Sequence, residues 1–67
     1  MSLTWQTVDK WRQERDMAIA DVARRGGIPE RTIYFGIAAN SRLRAGTKSA
    51  MQRVFPDKFD ESGEVRE

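Results

Sequence analysis

Arg31, Tyr34 and Phe35 stand three and four residues apart in the stretch Pro29-Glu30-Arg31-Thr32-Ile33-Tyr34-Phe35-Gly36-Ile37. At about 100° per residue, a helix over this stretch turns Ile33 and Ile37 one way and Arg31, Tyr34, Phe35 and Ala38 the other. A solvated face normally avoids large aromatic groups, so the second face asks for a partner. Its side chains suit base edges. A guanidinium grips guanine O6 and N7 with two hydrogen bonds, which makes Arg31 the strongest base reader, and Glu30 can accept from cytosine N4. Tyr34 and Phe35 can meet a thymine methyl or a sugar, with the phenol reaching a phosphate. Thr32, Asn40, Ser41, Arg42, Arg44 and Lys48 are candidate phosphate contacts clustered on and after the same segment. Each residue also has a plain reading: Glu30 serving the helix dipole, Phe35 packing inward or against a protein, the cations forming an ordinary basic loop.

Charge is unevenly distributed. The net charge of the 67 residues is only +2. Residues 1–56 nevertheless hold ten Lys/Arg against five Asp/Glu, a net +5, while residues 57–67 hold two against five, a net −3. A basic body with an acidic tail implies an anionic partner for the body.

Other chemistries lack their residues. There is no cysteine and no histidine, which removes disulfides, thiol nucleophiles, imidazole bases and the usual zinc sites. Asp9, Glu14, Asp16 and Asp21 lie among arginines as salt-bridge partners, and Gly26-Gly27 lacks the rest of a phosphate loop. The expectation is a non-enzymatic chain with no metal, cofactor or small-molecule ligand. No apolar run approaches the ~20 residues of a membrane span, and the start does not read as a signal peptide, so a cytoplasmic, nucleoid-associated protein is expected.

The elements that must position these residues are helical, since no period-2 alternation persists. The spacing predicts a first helix over 4–16 with Thr4 as N-cap, and a second from about Ala18 to Arg25, stopped by Gly26-Gly27. A third spans about Pro29–Ala39, with Pro29 as its first residue. After a polar loop over Asn40–Gly46, Thr47 caps a fourth helix striped with Ala50, Met51, Val54 and Phe55, and Pro56 ends it. The organisation expected is a domain over 1–56 and an acidic, loosely ordered tail over 57–67, with Phe59 and Val65 as docking residues. A body this small buries only about 60% of its unfolded surface and cannot hide every apolar group. Met51, Val54, Phe55 and Phe59 are therefore assigned to a two-fold interface.

The stretch Ile19-Ala-Asp-Val-Ala-Arg-Arg-Gly-Gly-Ile-Pro-Glu-Arg-Thr-Ile-Tyr-Phe-Gly-Ile37 resembles the helix-turn-helix of the Cro and lambda-repressor (Xre-like) class. Ala23 is small where two helices cross, Gly27 falls where the turn demands a positive φ, Ile28 plugs the gap, and Ile33 anchors the next helix. Trp11-Arg12 and Arg15-Asp16-Met17 resemble the end of the preceding helix and its link, so the likeness covers about residues 8–55. Four positions depart from the pattern. Ile19 replaces a phosphate-contacting glutamine, Ala18 replaces a Ser or Thr cap, Gly36 replaces a large apolar residue, and the Asn40–Gly46 loop is longer. A mid-helix glycine costs roughly 1 kcal/mol. The expected compensation is a tryptophan, Trp5 or Trp11, packed on the bare Gly36 backbone.

The resemblance implies an all-α, compact four-helix domain, with a short fifth helix at most, whose motif spans 19–37 and whose recognition helix spans 29–39. It implies a homodimeric transcriptional regulator that reads an inverted repeat in double-stranded DNA through the major groove, similar to the small repressors of phages and the controller proteins of mobile elements. An architectural or excision factor that bends DNA, and a protein-binding antagonist on the same scaffold, are the alternatives.

Overall fold

Apolar residues recur at every third or fourth position in four segments, and each is a helix in the computed structural model, which describes residues 3–66. They are α1 (Trp5–Glu14), α2 (Ile19–Gly26), α3 (Glu30–Ala39) and α4 (Ala45–Val54), followed by a single 3-10 turn over Pro56–Lys58. No strand occurs among the described residues, only two isolated bridges, Thr4 with Arg42 and Phe59 with Val65. No helix among them is long and apolar enough to cross a membrane.

Each helix buries one face, with Ile19 and Ile37 only partly covered. Trp5, Val8 and Trp11 come from α1, Val22, Ala23 and Gly26 from α2, Ile33 and Gly36 from α3, and Ala50, Met51 and Val54 from α4. Gly26 is the last residue of α2 and not part of the stop. A Cβ placed there would lie 3.2 Å from Met51 Cε, so its small size lets α2 and α4 approach closely. Gly27 ends α2 in the left-handed region at φ 68°, where glycine carries no Cβ penalty, and Ile28 N–H then bonds back to Ala23 O at 3.0 Å. At the other end of α2, Ala18 has no capping group to offer. Asp21 compensates in part, its carboxylate accepting the Ala18 N–H at 3.2 Å.

Several boundaries shift from expectation. α1 ends at Glu14, before Asp16 turns to φ 53°, a conformation that aspartate tolerates. Pro29 is the extended N-cap of α3, and Glu30 is its first helical residue. Thr47 does not cap α4, which starts three residues sooner than that cap implies, at Ala45 with Arg44 in the cap position. The cause is long-range: Leu43 N–H donates to Leu3 O at 3.2 Å, which fixes where the loop delivers the chain into the helix.

Two larger corrections concern the C-terminal third. Met51 and Phe55 are fully buried, Val54 and Phe59 nearly so, all within the core of one chain. They cannot also form an exposed two-fold seam, so the interface assigned to these four residues is withdrawn. Phe55 and Phe59 meet the Trp11 indole edge-on, with centroids 5.6 and 5.7 Å away. The tail is not loose either. Asp60 accepts hydrogen bonds from Ser62 N–H, Ser62 O–H and Glu64 N–H, which closes a turn, and Gln52 from α4 donates to Gly63 O at 2.9 Å. Arg66 Nε donates to Phe59 O at 2.9 Å. Acidic composition predicts solvation; Phe59 and a carboxylate-centred turn override it here.

Candidate nucleic-acid interface

α3 is held from behind by Ile33 in the core and by one unusually close approach at Gly36. A Cβ on Gly36 would lie 2.1 Å from Trp5 Cδ1 and 2.4 Å from Trp5 Cγ, so the indole rests on bare helix backbone. The expected glycine–tryptophan pairing is present, and Trp5, not Trp11, supplies it. Trp5 N–H also donates to Ser41 O at 3.0 Å, which ties the start of α1 to the chain just after α3. Asn40 closes α3 in the left-handed conformation at φ 49°. Its side-chain oxygen accepts the Gln6 N–H at 3.4 Å, doing for α1 what Thr4 does not. That contact uses the Asn40 oxygen only, so its NH2 group stays free to donate to a phosphate.

With its inner face fixed, α3 turns Arg31, Thr32, Tyr34, Phe35 and Ala38 to solvent. Tyr34 is 56% exposed and Phe35 73%, and these are the exposed large hydrophobic residues of the described chain. Glu30 lies exposed in the first turn of α3, where its carboxylate also suits the helix dipole.

Beside this face lies an open cleft of about 580 Å³. Thr32, Phe35, Gly36 and Ala39 of α3 form one side, Ser41, Arg42 and Arg44 of the loop and Thr47 of α4 the other, with Trp5 among the lining residues. The cleft therefore gathers four of the six candidate phosphate contacts, Thr32, Ser41, Arg42 and Arg44. Asn40 flanks it. Lys48 is not among its lining residues, and its ammonium pairs with Glu64 of the tail at 3.4 Å. Thr47 is the residue that sequence reasoning placed elsewhere: assigned as a cap, it instead brings a hydroxyl to the cleft. The amphipathic pattern gives no sign of this, because the assignment depends on where α4 begins.

Ion pairing divides the molecule. Asp9 pairs with Arg12, Asp21 with Arg24, Glu14 with Lys58, and Asp57 with Arg15. The Arg15 guanidinium, hydrogen-bonded to Asp57, holds that carboxyl below its ordinary value, the largest cause of the shift. Among the described residues, Arg31, Arg42 and Arg44 have no carboxylate within ion-pair distance and make no side-chain hydrogen bond. Three arginines, two exposed aromatic rings and several hydroxyl groups thus share one side of the molecule with their hydrogen-bonding capacity unspent. Such a surface can bind a polyanion through its backbone and examine apolar and polar groups between the charges. No protein-family model, curated protein or solved structure matches the chain.

Proposed function

We infer that this chain is a sequence-specific double-stranded DNA-binding regulator that sets α3 into the major groove, with a helix-turn-helix formed by α2 and α3. The observation that carries the reading is the solvent-facing Arg31–Tyr34–Phe35 surface beside a cleft holding Arg42 and Arg44 without internal partners. In this reading Arg31 and Glu30 reach base edges, and Tyr34 and Phe35 fill the groove between them. Thr32, Asn40, Ser41, Arg42 and Arg44 hold the phosphates, joined by Thr47 and, once it leaves Glu64, by Lys48. Met51, Val54, Phe55 and Phe59 serve the core, so two copies on an inverted repeat are brought together by half-sites about one DNA turn (~34 Å) apart, not by a preformed apolar seam.

The test is binding to a labelled duplex from the DNA upstream of the chain's own gene, beside a scrambled duplex, across a salt series. Tight binding to the first that survives salt abolishing the second is expected. Arg42→Ala and Arg44→Ala should weaken binding to both duplexes and reduce the slope of log K against log salt by about 0.9 each. Arg31→Ala should instead lose discrimination at one base pair, by about 1–3 kcal/mol. Absence of binding to any duplex would reject the reading.

A further inference from the structure

Arg31 and Phe35 are four residues, just over one helical turn, apart on the exposed face of α3, a rise of about 6 Å. That separation falls between one and two base-pair steps of about 3.4 Å each. Arg31 can reach guanine O6 and N7, and Phe35 has nothing with which to hydrogen-bond. An exposed phenyl ring is best matched by an apolar group, and among the base edges of the major groove that group is the methyl on C5 of thymine. The surroundings favour a nucleic-acid partner over an apolar protein patch: Phe35 is 73% exposed and shares its cleft with Arg42 and Arg44, with the hydroxyls of Thr32, Ser41 and Thr47 close by. A phenyl ring among cations and hydroxyl donors fits a ligand that is anionic along its edges and apolar at one point within.

Resting on the DNA-binding reading, we propose that Phe35 reads the 5-methyl group of a pyrimidine one or two steps from a guanine held by Arg31. Thymine and 5-methylcytosine carry the same methyl on the same carbon. The phenyl ring does not sense the exocyclic oxygen or amine that distinguishes them. Methylation of a cytosine at that position accordingly turns a weak site into a strong one, and the occupancy of the site responds to the methylation state of the DNA.

The experiment starts from the tightest duplex selected out of a randomised pool by the full chain. Each thymine is replaced in turn by deoxyuridine, and at the responsive position the pair is also rebuilt as cytosine–guanine and as 5-methylcytosine–guanine. Dissociation constants are measured for the wild-type chain and for Phe35→Ala, whose unchanged thermal melt confirms folding. For the wild type, uracil at one position should weaken binding roughly fourfold, the worth of one buried methyl, and 5-methylcytosine should exceed cytosine by the same factor. For Phe35→Ala both differences should vanish. If uracil is tolerated at every position, or if the differences survive in Phe35→Ala, the methyl-reading proposal is overturned while sequence-specific binding stands. If no duplex is selected, the DNA-binding reading fails and takes this proposal with it; capture of an acidic protein by the same face would then identify the other class of partner.

Discussion

Phe35 and Phe59 carry the same side chain in opposite circumstances, and the arginines around them follow the same division. On the side formed by α1 and the tail, Phe59 is 5% exposed against Trp11, Arg15 lies over the Phe55 ring and pairs with Asp57, and Lys58 pairs with Glu14. On the side formed by α3 and its following loop, Phe35 stands in solvent and Arg31, Arg42 and Arg44 have no acidic partner among the described residues. A basic composition alone does not reveal this. The acids of the tail take up Arg15 through Asp57 and Lys48 through Glu64 but reach none of Arg31, Arg42 and Arg44, so a modest net charge coexists with a basic face on α3 and its loop. The comparison teaches that groups paired with one another hold this fold, whereas those on the exposed face of α3 and its loop are left open to solvent.

The sharpest way to break that comparison is to remove each ring in turn. Phe59→Ala deletes a ring packed edge-on against Trp11 and unseats the tail, and should destabilise the chain by about 3 kcal/mol or more. Phe35→Ala removes a ring that packs on little, and should change stability by no more than about 0.5 kcal/mol. Urea or thermal unfolding of the two variants measures both. Equal losses would mean that Phe35 belongs to the core and that the two sides are not distinct.

A smaller effect is expected where the two sides are joined. Replacing Gly36 by alanine would ordinarily stabilise a helix interior by about 1 kcal/mol. Here the new Cβ would meet Trp5 Cδ1 at 2.1 Å, and the Trp5 backbone, pinned by its N–H bond to Ser41 O, cannot draw the indole away as a unit. Gly36→Ala should therefore destabilise by about 1–3 kcal/mol, despite the better propensity. In a Trp5→Leu background the same change should cost less, because the two residues share one space. A stabilising Gly36→Ala would refute the contact.

That junction is also where the sequence is most informative. A glycine in the middle of an amphipathic helix asks what fills the missing volume, and the two tryptophans of the first helix are the candidates that the sequence offers. Gly27 is legible for a similar reason, since the turn requires a left-handed residue four positions after Ala23. The exposed face of α3 follows from periodicity alone. Other features are set by contacts that local pattern does not encode. The start of α4 depends on Leu43 bonding to Leu3, forty residues away, and so Thr47 passes from cap to cleft. The cap on α1 comes from Asn40, again far along the chain. The stripe of Met51, Val54 and Phe55 has the same spacing whether it faces a core or a second copy. Only the placement of Trp11 opposite it decides.

The tail offers the mildest test, because only part of its order rests on two exposed carboxylates. Asp60 is held below the ordinary value of 3.8 mainly by its hydrogen bond from Ser62, helped by the backbone of Glu64, and Asp57 is held below it mainly by Arg15. A carboxyl whose value is lowered on folding contributes stability above its unfolded value, and that contribution fades as pH falls through the folded one. The turn over Asp60–Glu64 and the Arg15–Asp57 pair should accordingly be intact at pH 5 and loosen progressively below about pH 4. Both groups are exposed, so the loss should appear as release of the tail and not as global unfolding. Amide exchange at Gly63 and Glu64, followed by NMR from pH 5 to pH 2.5, would report it. Asp60→Asn should show much of the same loosening already at pH 7, since the amide retains one acceptor but no charge to draw in the Ser62 and Glu64 N–H groups. The exchange rates of α3 should not follow, because its support comes from Trp5 and Asn40, which make no hydrogen bond to the tail, and a coupled loss would show that the two regions are held by one set of contacts.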